Sequence, residues 1–253
     1  MDLGLTGRVL IVTGASRGLG RACAESLVAE GARVVVSSRD ASAVDRTASE
    51  LGGPERVVGV AADNADPATP GRLVDAAQER FGRLDGALVS VGGPPAGPLT
   101  EIADEAWQEA FESVFLGAVR LARTVAGSLT DGGALAFVLS SSVRQPIPNL
   151  AVSNGLRPGL AMAAKTLADD LGPRGVRVNG LLPGRVATDR TVAIDEATGD
   201  AEAARAQTEA AIPLRRYGDP AEFGRVAAFL LSPAASYVTG AMVPVDGGLL
   251  RAL

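Results

Sequence analysis

A single doubly wound α/β domain spanning residues 1–253 is the architecture predicted for this chain, on three observations. Short, almost continuously apolar runs recur along it, the pattern of strands buried on both faces of a parallel sheet. Amphipathic stretches of helical length separate these runs, as right-handed β-α-β crossovers require. A glycine-rich turn, Thr13-Gly14-Ala15-Ser16-Arg17-Gly18-Leu19-Gly20, joins the first run to the first amphipathic stretch.

Taken in order, Arg8–Val12, Arg33–Ser37, Val57–Ala61, Ala87–Val91, Ala134–Leu139, Val176–Leu182 and Met242–Val245 read as seven parallel strands with helices on both faces of their sheet. Leu19, Ala22, Ser26 and Leu27 give the first helix an inward face, and Gly31 offers it a left-handed stop. Thr69-Pro70 reads as an N-cap followed by proline at the first helical position, with Gly82 closing that helix. Asp219-Pro220-Ala221-Glu222 has the form of a capping box. The alanine-rich segment Thr191–Ala211 interrupts the rhythm, and residues 189–213 are expected to form a helical lid over the carboxyl ends of the strands, where such sheets bind ligands.

Composition excludes several functions. Lys and Arg total 24 against 29 Asp and Glu, a net charge of -5 that offers no footprint for nucleic acid or an anionic membrane. Cys23 is the only cysteine and histidine is absent, so intrachain disulfides, histidine triads and histidine or multi-cysteine metal centres are excluded and no metal is expected. Any acid or base must then be Asp, Glu, Tyr, Cys, Lys or water. No apolar stretch reaches the length of a membrane span and the N-terminus lacks a signal-like run, so a cytoplasmic protein is expected.

Gly14, Gly18 and Gly20, with Ser16 and Leu19 between them, let a backbone turn approach a pyrophosphate in front of the free N–H groups of the following helix. At the end of the second strand, Ser38 stands where an NAD-selective site would carry a carboxylate. Arg39 beside it and Arg17 in the glycine turn match a 2'-phosphate, which favours NADP(H) over NAD(H). Asp40 is the nearby carboxylate that would favour NAD(H), and the two arginines also fit a solvated surface.

With these motifs in order, the chain resembles the short-chain dehydrogenase/reductase family, in particular its 3-oxoacyl-acyl-carrier-protein reductase-like members. Further markers are Trp107, the serine run Ser140–Ser142, Asn179, Pro183-Gly184, Thr188 and the closing Val245-Asp246-Gly247-Gly248. The resemblance implies a Rossmann-like fold holding NADP(H), with Asp63 and Asn64 at the adenine, Gly92 and Gly93 beside a ribose, and Pro183, Gly184, Val186 and Thr188 around the carboxamide. It also implies a homodimer or homotetramer assembled through the helices at Ala106–Leu129 and Leu160–Leu171, and a small-molecule substrate, carrier- or thioester-linked or a cyclic ketone.

The same resemblance exposes an atypical catalytic motif. Where the family carries a proton-donating tyrosine and a lysine four residues later, this chain reads Ser153 and Arg157; Val114 stands at the supporting asparagine, and Ser142 alone keeps its identity. A serine hydroxyl is a far poorer acid than a phenol, and Arg157 stays protonated, although it can bind a ribose or stabilise an alkoxide. Losing a positioned acid costs roughly 10² to 10⁴ in rate, so hydride transfer with water as the proton source is physically allowed. Three readings follow: an oxidoreductase acting on a carbonyl or alcohol by an altered proton path, an NADP(H)-binding module without turnover, and non-redox chemistry using Ser142, Arg157 and Asp189. Tyr217 and Tyr237 are expected to pack, Lys165 to face away, and Cys23 to lie in the core. Pro158 predicts a helix that is continuous but irregular there, and the neighbouring Gly155 and Gly159 offer a bend or a late start. Arg185 and Arg190 belong at the substrate mouth, either receiving an anionic group such as a carrier phosphate or a carboxylate, or as solvated loop charges.

Overall fold

Val9–Val12 (β1), Arg33–Ser38 (β2), Val57–Ala61 (β3), Gly86–Val89 (β4), Ala134–Val138 (β5), Arg177–Pro183 (β6) and Met242–Val245 (β7) form one parallel sheet in the order β3-β2-β1-β4-β5-β6-β7. The computed structural model describes residues 2–129 and 132–252. Alternation along each strand sends side chains to two separate cores. Val9, Ile11, Val35, Ala87, Leu135, Phe137 and Val178 face one, and Leu10, Val12, Val34, Leu88, Ala136 and Leu181 the other. The helices Thr69–Phe81 (α3), Gly117–Ser128 (α5) and Ala151–Leu171 (α6) cover the first face. Gly18–Ala29 (α1), Ala41–Glu50 (α2) and Pro220–Leu231 (α9) cover the second, giving the doubly wound Rossmann-like arrangement that the strand pattern predicts.

The chain runs outward from β1 through β2 to β3, then crosses back to start β4 on the other side of β1. Connections leaving β1 and β4 therefore diverge, opening a crevice at their carboxyl ends. β4 begins and ends earlier than its apolar run suggests, which leaves Ser90 to Gly93 in the loop that lines this crevice.

Several local readings change. Thr69 is the first residue of α3 rather than its cap; its hydroxyl donates to the Asp63 carbonyl at 2.6 Å, tying the helix to the end of β3. Gly82 does close α3 in a left-handed conformation, φ 73°, and Gly31 adopts φ 85° just after α1. The capping box at α9 forms, the Asp219 N–H donating to Glu222 and Asp219 accepting from Ala221 N–H. Between Asp104–Ala110 (α4) and α5, residues Phe111–Leu116 make a π-helical turn that periodicity alone does not announce. The alanine-rich segment expected to form a lid folds as two helices, Asp189–Glu196 (α7) and Ala201–Ala211 (α8).

Helix α6 runs unbroken through Pro158. The helix already begins at Ala151, so Gly155 and Gly159 do not mark a late start: added Cβ atoms there would lie 2.9 Å from the Trp107 ring and 3.2 Å from the Phe115 ring. They let two aromatic side chains from α4 and the π turn approach the helix backbone.

Candidate active site

The crevice begins with a clamp between two strand ends. The Thr13 hydroxyl donates to the Ser90 carbonyl at 2.7 Å and accepts from the Ser90 N–H at 2.9 Å. This approach leaves no space at Gly14, whose added Cβ would sit 2.9 Å from the Ser90 carbonyl oxygen and whose φ is 60°. A Cβ on Gly20 would overlap the Gly14 carbonyl. Glycine at both positions folds the turn tightly onto itself, so the first turn of α1 reaches the crevice with no side-chain cap and no acidic residue. Its N–H groups and positive dipole end are free to face a phosphate. A cavity of about 220 Å³ lies there, lined in part by Gly18, Arg21, Ala22, Thr188 and Asp189.

At the end of β2 the acidic alternative is spoken for. Asp40 caps α2, accepting from the Ala43 N–H at 3.0 Å and the Ser42 hydroxyl at 2.9 Å, and these bonds hold its carboxyl below the usual carboxylate range. The Ser38 hydroxyl donates to the Asp40 carbonyl at 2.9 Å. Arg17 and Arg39 are exposed, and among the described residues neither forms an ion pair. Two free guanidinium groups and no free carboxylate fit a 2'-phosphate better than a 2'-hydroxyl. Asp63 accepts from the Ala65 N–H at 3.0 Å, and the Asn64 amide reaches the Ser90 carbonyl at 3.4 Å, which brings the end of β3 to the same crevice.

The crevice floor is made by α6 and the short helical turn Ser141–Val143. Ser142 and Ser153 are 4% and 5% exposed, and their hydroxyl oxygens lie 3.3 Å apart, sharing a hydrogen bond. One turn along α6 from Ser153, Arg157 is 5% exposed; it donates to the Val138 carbonyl at 2.7 Å and to the Gly92 carbonyl at 3.3 Å. Its Nε is buried with no hydrogen-bond partner among the described residues. Burial, and secondarily the charge of Arg190, push the Arg157 guanidinium down to about 10, which still leaves it cationic at neutral pH. The floor thus offers two hydroxyls and a fixed positive charge, and no phenol or amine.

Other expected positions sort themselves plainly. Val114 is buried in the π turn, and Cys23 is a fully buried core thiol whose burial pushes its pKa up. Lys165, the only lysine in the sequence, donates to the Gly240 carbonyl at 3.2 Å, away from the floor. Tyr217 is buried and donates to Asp195 at 2.9 Å, fastening α7 to the segment before α9. Tyr237, expected to pack, is instead fully exposed. Asn179 accepts from the Ala241 N–H and donates to the Val238 carbonyl, so it shapes the turn before β7.

Past β6 the chain returns to the crevice. Gly184 packs against Asp246, where an added Cβ would lie 2.6 Å from the Asp246 Cβ, and Pro183 ends the strand just before it. Val186 is buried, its carbonyl accepting from the Thr191 hydroxyl at 2.6 Å. Thr188 precedes α7 and faces Gly18, its methyl 3.9 Å from where a Cβ would stand. Two residues on, Arg190 is exposed as a residue, yet its guanidinium lies directly on Gly93, where an added Cβ would overlap it, and burial there lowers its pKa. A ribose beside Gly93 requires that long side chain to turn aside. Which of Arg185 and Arg190 enters the crevice is not encoded by the charge pattern; it depends on the first turn of α7. Arg185 instead approaches Asp195 at 4.0 Å.

The enoyl-(acyl carrier protein) reductase family profile matches residues 14–250. A short chain dehydrogenase/reductase of Aspergillus oryzae is 32% identical over 254 residues, covering 97% of this chain and 95% of its own. The chain belongs to the short-chain dehydrogenase/reductase family of oxidoreductases. The 3-oxoacyl-[acyl-carrier-protein] reductase of Vibrio cholerae is 30% identical over 249 residues, 98% of this chain and 99% of that protein. Among solved structures, L-sorbose reductase from Gluconobacter frateurii, complexed with NADPH and L-sorbose, superposes with a TM-score of 0.94 at 32% identity, covering all of both chains.

Proposed function

We propose that this chain is an NADP(H)-dependent oxidoreductase of the 3-oxoacyl-acyl-carrier-protein reductase-like branch, acting on a carbonyl or alcohol by a proton path that uses no tyrosine. The observation that carries the reading is the Ser142–Ser153 hydroxyl pair beside the buried Arg157 cation, on the floor of the crevice that begins at the uncapped end of α1. The likeness to a 3-oxoacyl-[acyl-carrier-protein] reductase supports a 3-oxoacyl thioester as substrate, with a cyclic ketone as the alternative. Gly14, Gly18 and Gly20 hold the diphosphate, Arg17, Ser38 and Arg39 the 2'-phosphate, and Val186 and Thr188 the carboxamide end; α7 and α8 close over the opening as a lid.

NADPH held by these residues would supply the hydride for reduction of the substrate carbonyl. As negative charge develops on the carbonyl oxygen, the Ser142 and Ser153 hydroxyls donate hydrogen bonds to it and Arg157 stabilises it through its fixed charge. Arg157 keeps its proton throughout, and the alkoxide takes its proton from water, with the Ser153 hydroxyl as the relay.

Stopped-flow oxidation of NADPH against a panel of ketones and 3-oxoacyl thioesters tests this. Turnover with part of the panel, and tighter binding of NADPH than NADH, is the expected result. Tight NADPH binding with uniform absence of turnover would move the assignment to a cofactor-binding module. The two backbone bonds of Arg157 favour that second reading, because they are structural bonds that persist without substrate. The double substitution Ser153→Tyr, Arg157→Lys then separates the two, since only a surviving substrate pocket gains activity from it.

A further inference from the structure

Arg157 and Arg190 bracket one short piece of backbone. Arg157 reaches from α6 to the Gly92 carbonyl, and Arg190 reaches from α7 onto the face of Gly93. The two are near enough for the charge of Arg190 to disfavour protonation of Arg157. Among the described residues no ion pair joins either guanidinium to a carboxylate, and Arg157 Nε is buried and unbonded.

Several other arginines of this protein are treated differently. Arg177, also buried, donates to the Leu230 and Ser232 carbonyls at 2.7 and 2.8 Å and so satisfies the end of α9. Arg21, Arg83 and Arg216 each meet a carboxylate. Two mutually repelling cations left without a counter-charge at the floor and mouth of one crevice form an arrangement that an anion completes. The cofactor diphosphate has its own place at the uncapped first turn of α1. The charge near Gly92 and Gly93 is separate from that diphosphate position, and a ribose at Gly93 would move the Arg190 guanidinium off the glycine while leaving it on the first turn of α7 at the mouth of the crevice.

We propose that Arg157 and Arg190 together receive a carboxylate or phosphate carried by the substrate, so that the preferred substrate is an oxo acid, a hydroxy acid or a phosphate ester rather than a neutral ketone. The proposal rests on the oxidoreductase reading above and narrows its substrate class. A planar carboxylate suits the fork of a guanidinium, and its neighbouring carbonyl then lies toward the hydroxyls of Ser142 and Ser153.

Calorimetric titration of the NADP⁺-saturated protein with malonate, with its neutral isostere malonamide and with inorganic phosphate tests it. Malonate or phosphate should bind, weaken as salt rises, and outcompete malonamide, which should not bind; the tighter of the two anions names the group. Arg190→Gln should weaken that anion by about tenfold or more while leaving the NADP⁺ dissociation constant within about twofold, and Arg190→Glu should abolish anion binding. Arg190 is exposed, so both variants should keep the wild-type circular dichroism. No binding of either anion to the wild type would overturn the proposal. So would an equal weakening of NADP⁺ and anion by Arg190→Gln, which would assign the arginine to the cofactor diphosphate. If NADP⁺ itself does not bind, the oxidoreductase reading fails, and the same titrations on cofactor-free protein decide the anion site separately.

Discussion

Arg157 shows how a single substitution of type alters a site. A lysine at this point would present one compact charge; the guanidinium instead spans from the Val138 carbonyl to the Gly92 carbonyl and leaves its third nitrogen unbonded. Burial lowers its pKa from the ordinary arginine value to about 10, so between those two values the unfolded chain holds more protons than the folded one, and stability rises with pH. The cost of the buried charge is present in full at neutral pH and is relieved only as pH climbs through about 10. Chemical unfolding at about pH 9 and about pH 11 should therefore show the wild type gaining about 1 kcal/mol relative to Arg157→Met. A difference that stays constant over that range would mean that the guanidinium is not desolvated.

Helix α6 carries two functions on separate faces, and its glycines belong to the structural one. Ser153 and Arg157, four residues apart, face the crevice, whereas Gly155 and Gly159, also four apart, accept Trp107 and Phe115. The Phe115 ring is itself stacked on Phe111, with centroids 5.3 Å apart. Replacing glycine by alanine inside a helix normally stabilises by about 0.5–1 kcal/mol. Gly127 in α5, exposed and with nothing near its missing Cβ, should show that gain. Gly155→Ala should instead lose about 1–2 kcal/mol, because its methyl would press the large Trp107 ring at 2.9 Å and overpacking outweighs helix propensity. Thermal unfolding of the two variants side by side measures the difference, and equal gains would show that the Trp107 contact yields freely.

On the scale of the whole molecule, what the sequence made legible is what local pattern determines. Strands β1 to β7 follow from apolar runs, the turn at Gly14–Gly20 from its glycines, and the start of α9 from Asp219 and Glu222, each set within a few residues. The π turn at Phe111–Leu116, the partners of Gly155 and Gly159, and the seat of Arg190 on Gly93 were not legible, because each depends on which distant element packs opposite. Oligomeric state is a question of the same kind. Single exposed apolar residues are ordinary, but Phe111 is 43% exposed, and Met162, one turn beyond Gly159, is 68% exposed. Both sit on the helices through which the family resemblance implies assembly. An interface across a two-fold axis brings a patch against its own copy, so one substituted charge meets its equal and is doubly unfavourable. Light scattering should accordingly find the wild type as a dimer or tetramer and Met162→Glu as a smaller species with unchanged circular dichroism. A monomeric wild type would show that these residues are merely solvent-facing; an unaltered oligomer in the variant would place the interface on another face.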